Sequence, residues 1–152
     1  MESRAKLFGH AIHPILIVFP LGLLATGVVF DAVYLIWGNP LMATVAYYMI
    51  AVGIIGGLLA APPGWIDWFA IPSGTRAKSV GLIHGLGNVL VLLIFIGSGW
   101  VRRDAPERPE MLASILSFAG AGLALITGWL GGELVERLGV GVDNGAHLDA
   151  PS

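Results

Sequence analysis

Four uninterrupted apolar runs, residues 14–37, 41–62, 80–101 and 111–132, take up most of this 152-residue chain. Each is 22 to 24 residues long and carries at most one acidic side chain. A helix of about 20 apolar residues matches the roughly 30 Å hydrocarbon core of a bilayer. With 56% hydrophobic and 12% charged residues, the chain has too little polar surface to coat a water-soluble particle. In lipid every backbone group needs an internal partner, and helices supply one. The expected fold is therefore all-α, an integral membrane up-down-up-down four-helix bundle.

Composition narrows the chemistry. The net charge of −2 and the scattered basic residues leave no electrostatic footprint for nucleic acid. Without cysteine there can be no disulfide, thiolate-held metal or thioether-attached haem, so any metal would rest on nitrogen or oxygen ligands. No nucleophile with a base, phosphate-binding glycine loop or cofactor fingerprint is present, which makes a redox carrier a better expectation than a substrate-transforming enzyme. The first run is too long for a signal-peptide core and lacks a cleavage pattern, so it reads as retained.

The connections predict a single domain over 1–142 and a disordered tail, 143–152, that includes His147. Gly38-Asn39-Pro40 reads as a tight turn, and Arg102 to Glu110 as a solvated linker of mixed charge. The middle segment, PPGWIDWFAIPSGTRAK, starts with prolines expected to end the second helix at 62. Its Trp65, Trp68 and Phe69 suit either an interfacial anchor or a lid over a site. Both termini fall on one side. Five basic residues there (Arg4, Lys6, Arg76, Lys78, Arg137) against three opposite (Arg102, Arg103, Arg108) lean towards the cytoplasm. Glycines four apart (Gly53 and Gly57, Gly81 and Gly85, Gly128 and Gly132) suit close helix contact. A faint repeat places a histidine early in each half (His13, His84), then a glycine-rich helix, then a carboxylate (Asp67, Glu133).

Nearly every residue able to do chemistry lies at the amino-terminal end of the bundle. The first and third helices run the same way, so His10, His13 and His84 share that membrane face. His84 sits six residues beyond Lys78, roughly 9 Å deeper at about 1.5 Å per residue. Ionisable groups at such depth are costly and usually face a partner or cofactor. Pro14 suits a first helical position, with His13 as the cap. Three readings are open. The histidines can be structural, with His84 bonded to Asn88. His13 and His84 can ligate a haem b iron axially, with His10 as substitute or propionate partner and Arg76 on a propionate. Or His10, His13, His84, Asp67 and Glu133 can form a small divalent metal site. Asp67 and Glu133 are either solvated, paired with Arg76 or Arg137, or acceptors of the outer imidazole proton. Pro20 should kink the first helix by removing the bond to Leu16. Asp31 lies near the opposite surface and marks either a packing hydrogen bond, with Tyr47 or Tyr48 as partner, or one end of a proton or electron path.

The segments GHAIHPILIVFPLGL, GWIDWFAIPSGTRAKSVGLIHGLGN and WLGGELVERLGVGV, in this order, resemble a bacterial family of predicted four-span membrane proteins classed as a domain of unknown function, number 2231. The likeness covers nearly all of residues 7–142. Its motif positions fall on His10, His13, Pro14, Pro20, Asp31, Asp67, Arg76, His84, Asn88 and Glu133, all present here. The family carries no assigned activity. Some relatives are joined to cytochrome c or Rieske-type modules, so the resemblance implies a redox setting. The expectation is thus a haem b-binding, cytochrome b-like electron-transfer subunit in the lipid bilayer, with a redox partner protein and a possible homo-oligomer. The alternatives are a cofactor-free accessory subunit, or a metal-binding or transport protein.

Overall fold

A computed structural model describes residues 1–150. A short antiparallel hairpin opens the chain, β1 (Lys6–Leu7) and β2 (His10–Ala11), and the turn at Phe8-Gly9 puts both residues at positive φ. Then come α1 (Ile12–Leu16), α2 (Val18–Trp37), α3 (Pro40–Ala70), α4 (Arg76–Arg102) and α5 (Met111–Gly132). A π-helical turn at Glu133–Arg137 ends the last span. Four helical stretches, 12–37, 40–70, 76–102 and 111–137, are long and apolar enough to cross a membrane. Large apolar side chains such as Ile36, Leu125 and Trp129 point outward, which only a lipid surround makes favourable.

Prolines shape the first two spans differently. Pro20 cannot bond the Leu16 carbonyl, and the first span is interrupted at Ile17, where α1 passes into α2. Pro62 and Pro63, expected to end the second helix, lie inside α3, which runs eight residues further to Ala70. An interior proline costs about 3 kcal/mol, so the extra turns need anchoring from outside the helix. They have it. Trp68 Nε1 donates to the Lys78 carbonyl at 3.0 Å, and Lys78 Nζ donates to the Trp68 carbonyl at 2.7 Å while sitting 3.9 Å above its ring. Trp65, Trp68 and Phe69 are thus helical residues braced on α4, not parts of a long loop. The true connection is Ile71 to Thr75, and the Thr75 side chain caps α4 by accepting from Lys78 N.

The helices meet through small residues. Leu24 of α2 sits against Gly53 of α3, where an added Cβ would lie 2.7 Å from the leucine. Gly27 faces Ile50 and the Ala46 carbonyl, and His13 faces Gly64, so contacts rise along one helix as they fall along the other. The α4–α5 pair repeats this, with Phe95 against Gly120 and His84 against Gly131. Leu24, Ile50, Val91 and Phe95 form the buried core between the pairs.

Candidate functional site

Two polar regions lie within the bundle, one at each end. At the amino-terminal end, α1 begins at Ile12 with Ala11 before it, so His13 is in the first turn and does not cap it. Its Nδ1 lies 2.8 Å from the Ala60 carbonyl of α3. His84, two turns into α4, places Nδ1 2.8 Å from the Thr127 carbonyl of α5. A carbonyl only accepts, so in both rings Nδ1 is the donor and Nε2 is the nitrogen that carries the lone pair whenever the ring is neutral. Each ring rests on a glycine, Gly64 or Gly131, whose missing Cβ would come within 2.9 and 3.0 Å of it.

A small network secures His84. Asn88 Nδ2 donates to the His84 carbonyl at 2.9 Å and lies 3.3 Å from Nε2. The Thr127 hydroxyl donates to Asn88 Oδ1 at 3.0 Å, and Gly87 leaves room for the threonine methyl. Asn88 and His84 therefore meet as the spacing predicts, with Thr127 as a third member.

The other expected residues do not join them. His10 is exposed on β2, opposite Leu7, so it does not share a helical face with His13. Asp67 turns to the amino-terminal segment: it accepts from Ser3 Oγ at 2.7 Å, Arg4 N at 2.6 Å and Ala5 N at 3.1 Å. Glu133 accepts from Arg76 Nη2 at 2.7 Å and pairs with Arg137 Nε at 3.3 Å. Neither carboxylate meets an imidazole, and Arg76 is engaged by Glu133. Among the described residues no group of three or more His, Asp or Glu is placed to hold a metal ion. Two imidazoles remain, one from each hairpin, a donor set too small for a protein-enclosed divalent site and equal in number to the nitrogens that bis-histidine ligation of a haem iron would use.

The opposite end holds a cluster that sequence reasoning missed. Arg102 ends α4 and is fully buried, where a solvated linker was expected. Its Nη1 and Nη2 donate to Asp31 Oδ1 and Oδ2 at 2.7 and 2.9 Å, a bidentate pair. Ser117 Oγ donates to Asp31, Arg102 Nη2 reaches Ser98 Oγ at 3.0 Å, and Ser98 donates to the Ala113 carbonyl at 2.7 Å. Asp31 bonds neither Tyr47 nor Tyr48. Arg102 Nε has no partner among the described residues. A signal existed: the 71-residue step from His13 to His84 also carries Asp31 to Arg102.

Four lipid-facing helices with polar groups turned inward define a polytopic integral membrane protein. The chain belongs to the family described as predicted membrane protein (DUF2231), whose pattern matches residues 9–144. No curated protein and no solved structure matches it.

Proposed function

We propose that this membrane protein is a haem b-binding electron-transfer subunit, with His13 and His84 as the axial ligands. The carrying observation is the paired Nδ1–carbonyl geometry, which uses Nδ1 of each ring as a donor and makes Nε2 the ring nitrogen a metal would take. Bound there, an iron porphyrin would alternate between ferric and ferrous states and pass single electrons. The chain's own contribution is orientation. Ala60 and Thr127 hold the Nδ1 protons, Gly64 and Gly131 let the rings lie flat against the neighbouring helices, and Asn88 and Thr127 tie His84 in place. Asn88 Nδ2 has two protons, one on the His84 carbonyl at 2.9 Å and one facing His84 Nε2 at 3.3 Å, so a metal on that nitrogen would displace the longer contact. A bacterial inner-membrane setting with a separate redox partner protein belongs to the same proposal.

The test is the visible spectrum of protein purified in mild detergent after expression with ample haem, oxidised and then dithionite-reduced. A Soret band with sharp reduced α and β bands, abolished in His13→Ala and in His84→Ala, is the expected result. A colourless protein, free of metal by elemental analysis, would remove the haem reading and leave a cofactor-free accessory subunit.

A further inference from the structure

The two helical hairpins, residues 12–70 and 76–137, correspond position by position. A step of 71 residues carries His13 to His84, Leu24 to Phe95, Gly27 to Ser98 and Asp31 to Arg102. In the second helix of each hairpin a step of 67 carries Ala46 to Ala113, Gly53 to Gly120, Ala60 to Thr127 and Gly64 to Gly131. The contacts travel with the positions. His13 bonds the carbonyl of Ala60 as His84 bonds that of Thr127. Leu24 covers Gly53 as Phe95 covers Gly120, and Gly27 approaches the Ala46 carbonyl where Ser98 donates to that of Ala113. Asp67 and Glu133 fall outside this register, since they stand three and two residues after their glycines. The repeat is real, but its carboxylates are not part of it.

Asp31 and Arg102 occupy the same position in their copies, and they bond to each other. In a pairing of two equivalent halves, a position that meets its own equivalent lies on the axis between them. On such an axis two first hairpins would bring Asp against Asp, and two second hairpins Arg against Arg, buried and without water. Only unlike halves give the neutral, bidentate pair. A buried ion pair is a weak stabiliser compared with apolar packing, but like charges set face to face in a low-dielectric interior are strongly repulsive. Selectivity of this kind rests on the repulsive alternative as much as on the attractive one.

We infer that the Asp31–Arg102 pair makes the hairpin–hairpin interface obligatorily unlike: a surface matched in shape to its own copy, whose charge admits only the complementary hairpin. This is independent of what the histidines hold.

The full-length chain in mild detergent tests it, by native mass spectrometry, thermal unfolding and cross-linking between the hairpins. Asp31→Arg alone and Arg102→Asp alone should each lose the cooperative transition or unfold well below the unaltered chain. The double reversal Asp31→Arg with Arg102→Asp should recover much of the transition and the unaltered distribution of species, because the two positions meet on the axis, with the shortfall set by Ser117 and Ser98, whose counterparts are Ile50 and Gly27. Asp31→Leu with Arg102→Leu should fold yet populate additional oligomers through like–like hairpin contacts. A double reversal no better than either single change would overturn the inference. So would an apolar double variant that folds into the same distribution of species as the unaltered chain.

Discussion

At the scale of single residues, cost follows from what is left unpaired. Asp31→Asn keeps the shape but removes the charge that holds a fully buried guanidinium, so the variant should lose about 3–5 kcal/mol. Reversible unfolding in detergent would show it. Gly53→Ala fails for a different reason: its Cβ would stand 2.7 Å from the Leu24 side chain and 3.2 Å from the Leu24 backbone nitrogen. The side chain can turn but the backbone cannot, and overpacking of this kind costs about 1–3 kcal/mol, readable in the same measurement. His13 and His84 were legible as candidates because an ionisable group deep in an apolar run demands an explanation. Arg102 was not, because at the end of a run beside Arg103 and Asp104 its charge looks solvated. Only the partner from 71 positions away accounts for its burial.

Among the elements, α3 shows most clearly what local chemistry cannot fix. The prolines were a sound reason to end it at 62, and the polar contacts that brace it to Ala70 come from Lys78 and the amino-terminal segment. Asp67 is the extreme case, since its partners lie more than 60 residues before it. Asp67→Ala should leave the Arg4 and Ala5 backbone amides without their acceptor and Ser3 Oγ with only the Ala5 carbonyl. The amino-terminal segment should then become the first site of limited proteolysis, with the spans intact. A second tie holds the same segment. The Lys6 ammonium donates to Glu2 at 2.7 Å and keeps that carboxyl below its ordinary range. A depressed acid stabilises above its unfolded pKa, and this support is lost as pH falls through the lowered value. Amide chemical shifts of residues 2–6 should therefore titrate below the ordinary glutamate range, and Lys6→Met should move that titration up towards it, the Asn144 backbone amide retaining part of the depression.

For the whole molecule, the bundle was readable from run length alone, and the short turn at Gly38 and the span at 111–132 fall where hydropathy puts them. The sidedness of the chain sharpens once Arg102 is taken from the surface, because only Arg103 and Arg108 then remain exposed at that end against the five basic residues opposite. An amino terminus in the cytoplasm is the expected orientation. Reporter fusions at the 103–110 loop should be active only when translocated, and reporters at the carboxyl terminus only when retained.

Likeness between the halves also means that each keeps a blueprint for the other. Ile17 and Ala60 stand where Asn88 and Thr127 stand one copy later, so His13 lacks the amide–hydroxyl strut that steadies His84. Grafting it back, as Ile17→Asn with Ala60→Thr, should slow the motion of the His13 ring as seen in nitrogen-15 relaxation. The first span is interrupted at Ile17 where α4 runs on through Asn88, so the transplant also reports whether that break leaves the strut within reach of the ring.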